Sequence, residues 1–249
     1  MAMEYRTAEF VDLICAEIEQ QTPLLLNTHP ISQANAKEYL RQAQLRLIIK
    51  PPIERLWSVA FHPDGHRLTS GGEDRAIRLW QVRDGKCLQS LNGYTNWFRS
   101  IAWSPDSHRL ITASRDAQIR IWEVDTAICF PPRSGHPKAT LAVAYDPQGV
   151  TFASGGDDRT IRIWDAQTHA CPQILHGHLG GIIALVYSPD GKYLVSSGSD
   201  RSIRIWDTQR WRCLSIRTGQ TDRIGGLTDR PHLDLITSAS EDRTIGAKE

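Results

Sequence analysis

Four tryptophans, Trp80, Trp122, Trp164 and Trp206, follow one another at steps of 42 residues, and the text around them repeats as AIRLWQ, QIRIWE, TIRIWD and SIRIWD. Three other columns keep the same step. They are Asp74, Asp116, Asp158, Asp200 and Asp242; Ser70, Thr112, Ser154, Ser196 and Ser238; and Pro63, Pro105, Pro147, Pro189 and Pro231. A repeat of this length constrains the architecture before any other property does. Each unit is too small to bury its own apolar face and must stack on its neighbours. The units run 57–98, 99–140, 141–182 and 183–224, with a partial fifth at 225–249.

Within one unit the pattern is strand and turn. WSVAF at 57–61 is rich in β-formers and is closed by Pro63, Asp64 and Gly65, where Pro presets φ and Gly tolerates a positive value. A second run at 67–70 ends in Gly71, Gly72, Glu73 and Asp74. A third at 76–80 leads to Arg83, Asp84 and Gly85, and a fourth covers 87–91. Four short strands separated by turns, recurring at this period, describe one blade of a β-propeller.

Trp164-Asp165 and Trp206-Asp207 are full WD dipeptides, with Trp80-Gln81 and Trp122-Glu123 as variants; Gly135-His136 and Gly177-His178 precede them at a fixed offset. On these motifs about four-fifths of the chain resembles WD40 repeats. The resemblance implies an all-β fold of about four and a half propeller blades in an open or incomplete ring. It also implies a buried tetrad of His, Ser, Asp and Trp in each complete blade: His136, Ser154, Asp158 and Trp164, then His178, Ser196, Asp200 and Trp206. Such a chain lets an Asp hold the imidazole, the imidazole the hydroxyl and the hydroxyl the indole N–H. Blade 2, with Tyr94 in place of His, and blade 1, with no Gly-His, are expected to be pinned less tightly.

Twenty-nine basic and 28 acidic residues give a formal charge of +1, so no strong field draws the chain to nucleic acid or membrane. No run approaches the ~18 apolar residues of a membrane span, and no signal peptide is evident. A cytoplasmic protein is the expectation. Cys87, Cys129, Cys171 and Cys213 are themselves 42 apart, one column on successive blades, too far apart for the ~4.4–6.8 Å Cα separation of a disulfide. They are expected to be free thiols packing as small apolar residues.

Residues 1–52 differ in kind. Phe10, Leu13, Ile14 and Ile18 at helical spacing, then Ala36, Tyr39, Leu40, Ala43 and Leu47 after Ser32, predict a short α-helical hairpin that ends at Pro51-Pro52. The stretch LLLNTHPISQANAKEYLRQAQLRLIIKPP resembles the segment preceding WD40 repeats in cyanobacterial NTPase signalling proteins of the NB-ARC type, although the chain has no GxxxxGK[ST] phosphate loop. A strand at 45–49 completing the last blade is the alternative.

The fifth unit departs from the template. SEDRTIGAKE stands where SEDRTIRIWD is expected, so Lys248 falls in the tryptophan column, and TDRPHL at 228–233 loses the apolar strand end and its turn. Two strands and a stump are predicted. Three outcomes stay open: a natural truncation of a larger protein, closure by self-association through open propeller edges, or a strained small ring.

The constellations that suggest catalysis have duller explanations. His178 of His176-Gly177-His178 belongs to the Gly-His column, and Asp74 and Asp158 of Glu73-Asp74 and Asp157-Asp158 belong to the tetrad column. His62, His66 and His108 flank turns and should be exposed. Arg78, Arg120, Arg162 and Arg204 should lay aliphatic stems across strands with their heads at the surface. No enzyme activity, cofactor or metal is expected. The resemblance points instead to a top-face binding site for a protein or peptide partner, made by residues at the start of strand one and just before the tetrad Asp. Here these are Arg55, Trp57, Trp97, Arg99 and Arg223, with Glu73, Arg115, Asp157 and Glu241. At the start of strand one, blades 3 and 4 offer only Ala139, Leu141, Gly181 and Ile183. The expected function is a non-catalytic scaffold in signalling; the alternative is a fragment of a larger NTPase–WD40 protein with no function of its own.

Overall fold

The computed structural model describes residues 49, 55–230, 235–242 and 244–248. The helical hairpin expected within 1–52 lies outside the described residues, as does the alternative strand apart from residue 49, which belongs to no element. The strands all fall in the compact unit Pro51–Glu249.

Blade 1 is β1 (Leu56–Phe61), β2 (Arg67–Gly72), β3 (Ile77–Gln81) and β4 (Cys87–Leu91), antiparallel and paired in that order. Blade 2 repeats it with β5 (Phe98–Trp103), β6 (Arg109–Ser114) and β7 (Gln118–Glu123). Its outer edge is split into β8 (Ile128–Cys129) and β9 (Arg133–Ser134), both paired with β7. Pro131 and Pro132 lie in the gap, where a residue without an N–H cannot continue the ladder. Blade 3 is β10 (Thr140–Tyr145), β11 (Thr151–Gly156), β12 (Ile161–Asp165) and β13 (Gln173–Leu175), and blade 4 is β14 (Ile182–Tyr187), β15 (Tyr193–Gly198), β16 (Ser202–Asp207) and β17 (Arg212–Thr218).

The fifth unit forms three strands, β18 (Ile224–Arg230), β19 (Leu235–Ser240) and β20 (Ile245–Lys248). This corrects the expectation of two strands and a stump. The backbone of the last segment pairs in the usual register, Ala239 opposite Ile245 and Ile236 opposite Lys248, as Leu194 stands opposite Trp206 in blade 4. Strand pairing needs backbone N–H and C=O groups, and TDR at 228–230 and GAK at 246–248 supply them despite their lost apolar pattern.

Turns at one end of the blades explain the Pro-Asp-Gly signal. Asp64 Oδ1 accepts the N–H groups of His66 and Arg67, while Gly65 stands at φ 70°. Ser107, Gly149 and Gly191 hold the same conformation at 69°, 73° and 71° in the next blades. His62 is not exposed as its position beside the turn suggests. It is buried edge-on against Trp103 of blade 2, centroids 4.4 Å apart, with Nε2 3.1 Å from the Ser107 carbonyl oxygen.

The apolar core is a series of seams between blades. Ile77 and Leu79 of blade 1 meet Phe98, Ile101, Trp103 and Trp122 of blade 2. Ile119 and Ile121 of blade 2 meet Val143, Phe152 and Trp164 of blade 3, and Ile161 and Ile163 of blade 3 meet Ile182, Leu194 and Trp206 of blade 4. The inner strands pack in the order β1, β5, β10, β14, β18, and among the described residues no comparable packing joins β18 back to β1. The described strands form an open arc. Val59 and Phe61 of β1 are 60% and 66% exposed, whereas their counterparts Ile101 and Trp103, facing blade 1, are 7% and 8% exposed.

All four cysteines of the repeat column are free thiols, but the expected packing needs correction, since Cys87 and Cys213 are exposed. The outer strands bulge beside Cys87 and Cys213, whose thiols point to the carbonyl oxygens of Gln89 and Ser215.

The seams demand small residues where the next blade's first strand begins. A Cβ on Gly155 would come within 2.5 Å of Ile182 Cγ2, and one on Gly71 as close to Phe98. Gly155→Val therefore forces blades 3 and 4 apart and is expected to cost about 1–3 kcal/mol, read as a lower urea midpoint of the intact chain.

Candidate functional site

In blade 3, His136 enters from the connection before β10. Its Nδ1 lies 2.9 Å from Asp158 Oδ1 and its Nε2 2.8 Å from Ser154 Oγ, which also accepts the Trp164 Nε1–H at 2.8 Å. Blade 4 repeats this with His178 to Asp200 at 2.8 Å, His178 to Ser196 at 2.8 Å and Trp206 to Ser196 at 2.9 Å. Only a neutral imidazole satisfies every atom: the indole donates to the hydroxyl, the hydroxyl to Nε2, and Nδ1–H to the carboxylate. Burial holds both histidines below their ordinary value, outweighing the pull of Asp158 and Asp200. Burial opposes ionisation of Asp158, but the His136 ring and Thr160 outweigh it and keep the carboxyl below the usual range. For Asp200 the opposition of burial is overcome by the Leu179 N–H, His178 and Ser202.

Thr160 and Ser202, two residues after the Asp column, donate their hydroxyls to Asp158 and Asp200 at 2.9 and 2.8 Å. They were missed in the sequence, although Thr244 repeats the contact with Asp242 and a hydroxyl column at that step was available as a signal.

Blade 2 departs from the expectation of a looser lock. Tyr94 is buried, its OH is 2.5 Å from Thr112 Oγ1, and it accepts the Trp122 Nε1–H at 2.9 Å. Burial pushes the Tyr94 phenol far above its usual range, so it stays neutral. Asp116, which Tyr94 does not reach, pairs with Arg120 at 3.0 Å, and both side chains are buried. In the fifth unit Gln220 Oε1 accepts the Ser238 hydroxyl at 3.1 Å, an amide standing where the imidazole stood. Among the described residues blade 1 keeps the bond from Trp80 to Ser70 at 2.8 Å, with Asp74 paired to Arg78. The arginine column therefore does not carry its heads to the surface. Arg120 is buried, and Arg78, Arg120 and Arg162 end on the Asp four residues earlier.

The opposite end of the blades from the Pro-Asp-Gly turns holds the candidate binding residues. In each unit the first two strands slip register by one residue, which leaves Trp57, Arg99, Leu141, Ile183 and Gly225 as bulge residues outside the ladder. A bulge re-aims its side chain. Beside it, the N–H before the Asp column donates back to the start of strand one: Glu73 to Arg55, Arg115 to Trp97, Asp157 to Ala139 and Glu241 to Arg223. Both classes of candidate residue thus share one rim.

On blades 1 and 2 their side chains meet. Trp57 and Trp97 are exposed and stacked, centroids 6.4 Å apart at 21°. The Arg99 guanidinium lies 4.5 Å over Trp57 and that of Arg115 5.6 Å over Trp97. Arg55 pairs with Glu73 at 3.3 Å. Asp157 lies against Gly181, where a Cβ would meet its carboxylate. Arg223 and Glu241 pair with each other at 3.8 Å on the fifth unit and join none of these contacts.

The family model for the WD domain, G-beta repeat, matches residues 52–81, 85–123, 127–165 and 169–207. The chain belongs to this WD40 family. The last three matched WD40 repeats are out of phase with the blades: 85–123 takes in β4 of blade 1 and then β5 to β7 of blade 2. A single repeat therefore spans a seam. Among the described residues no helix is long and apolar enough to cross a membrane, and no group of three or more His, Cys, Asp or Glu could hold a metal ion.

Two outcomes follow from the WD40 tetrads. Ser154→Ala strips Trp164 Nε1 and His136 Nε2 of their buried partner and should cost about 1–3 kcal/mol in urea unfolding. The pH dependence has one sign. Folded His136 and His178 are harder to protonate than unfolded ones, so protons favour the unfolded chain. Stability should be full above the ordinary value of 6.5 and fall as pH drops through it, with Asp158 and Asp200 adding to the loss below 3.8. Urea midpoints measured between pH 8 and 4 check this; a midpoint that rises on acidification contradicts it.

Proposed function

We propose that this protein is a non-catalytic scaffold that binds a protein or peptide partner on the bulged rim of blades 1 and 2, in a cytoplasmic signalling setting. The observation that carries the reading is the exposed stack of Trp57 and Trp97, overlaid by Arg99 and Arg115. Tryptophan and arginine are the residue types whose truncation most often weakens interfaces, because they offer large contact area and directed N–H donors. Their mutual stacking orders them before any partner arrives, which lowers the entropy cost of binding.

The blades' polar groups favour a scaffold over an enzyme. His136 and His178 are held in their tetrads and Asp116 by Arg120, so none of these is open as a base or acid. Blades 3 and 4 carry Ala139, Leu141, Gly181 and Ile183 at the corresponding positions, which offer no comparable anchor. The signalling setting rests on the resemblance of the segment before Pro51-Pro52 to the one that precedes WD40 repeats in NB-ARC-type NTPases.

The test is capture on the immobilised 249-residue chain. Trp97→Ala and Arg99→Ala should each lose the partners held by the unaltered chain while keeping its urea midpoint. Identical capture by all three proteins would rule out the rim of blades 1 and 2.

A further inference from the structure

Arg99 and Arg115 differ from the arginines of the blades that end on a carboxylate. Arg78 and Arg120 end on Asp74 and Asp116, Arg55 on Glu73 and Arg223 on Glu241. Among the described residues neither the Arg99 nor the Arg115 guanidinium donates a hydrogen bond or joins an ion pair. Each instead lies over an indole, Arg99 on Trp57 and Arg115 on Trp97. A guanidinium held by its face against an aromatic ring keeps its N–H edge free, and the ring fixes the direction of that edge. The two cations also oppose one another. Burial weakens the hold of Arg99 on its proton, the charge of Arg115 adds to this, and Asp157 offsets it without pairing. Two oriented, unpaired forks beside an exposed apolar stack are short of negative charge.

We propose that Arg99 and Arg115 receive the carboxylates of an acidic peptide segment whose neighbouring apolar side chain rests on Trp57 and Trp97. This rests on the partner-binding reading of the same rim and gives the chemistry of the partner. Carboxylates match the guanidinium fork with two parallel N–H···O bonds, and the exposed indoles supply the apolar contact that a free anion would not use. The surrounding charge selects against a continuous polyanion. Asp157 acts on Arg99, Glu73 sits on the same rim paired with Arg55, and the whole chain carries a formal charge of only +1, so a nucleic-acid backbone laid across the rim would meet both acids. A peptide with one or two separated carboxylates avoids them.

A random peptide display library selected on the intact 249-residue chain tests this. The enriched sequences should carry Asp or Glu next to a large apolar residue. The best of them, synthesised with a fluorophore, should bind the unaltered chain about tenfold or more tighter than its amide counterpart with Gln or Asn for the acids. Arg99→Gln should weaken the acidic peptide by a similar factor and leave the amide peptide unchanged, so that the two losses do not add. Arg99→Lys should restore only part of the loss, since it keeps the charge without the fork. Urea midpoints of the variants show that each is folded. Peptides without an acidic preference that are lost with Trp97→Ala would overturn this inference and leave the rim as a partner site. Selections that yield no peptide sensitive to Trp97→Ala overturn both. Binding of labelled oligo(dT) abolished by Arg99→Gln, with no acidic peptide enriched, would replace the peptide with a nucleic acid.

Discussion

The tryptophans of blades 2 to 4 are fixed twice over. Each N–H is held by a hydroxyl, in blades 3 and 4 from the preceding strand of the same blade, and each ring is pressed against the preceding blade. In blade 2 that hydroxyl comes from Tyr94 in the connection rather than from the strand. An indole left to pack without its acceptor would bury an unpaired donor, and an acceptor without the indole would leave a cavity between sheets. The polar chain from Asp through His and Ser to Trp thus turns a surface of sheet into a surface of defined shape. The phase of the repeat reinforces it: one unit of sequence begins on the outer strand of one blade and ends on the third strand of the next. Adjacent blades are held by covalent continuity as well as by apolar contact.

The architecture was legible because the period is rigid. Turn, strand and tryptophan columns each recur at one step, and a column of small residues, Gly71, Ala113, Gly155, Ser197 and Ala239, marks where the next blade comes close. The limits of that reading come from side-chain reach. Tyr94 looks like a lost histidine, but a phenol extends farther than an imidazole and can take the indole bond itself. Asp116 pairs with Arg120 as Asp74 pairs with Arg78 in blade 1. His62 looks like a turn residue open to water, yet the ring of Trp103 from the following blade lies over it. In the fifth unit the missing tryptophan suggested a missing strand. A strand is a matter of backbone pairing, and the register continues to Lys248 without the side chains that would seal it.

The candidate site was legible only as positions. Columns located one rim and the residue types suggested anchors. That Trp57 stacks on Trp97, and that Arg99 reaches back across the seam to the preceding blade's indole, depends on the angle between neighbouring sheets. Arg223 and Glu241 occupy the same columns and satisfy each other on the fifth unit, which shows how little a column says about the company a side chain keeps.

The bulge at the start of every blade has a consequence for how such a protein changes over generations. The five bulge positions hold Trp57, Arg99, Leu141, Ile183 and Gly225, residues with almost nothing in common. Because these residues stand outside the ladder, the architecture places few demands on their identity. Mutation can sample new side chains there while selection for a folded chain acts elsewhere. Side chains on this rim and the stability of the blades can therefore vary nearly independently over generations.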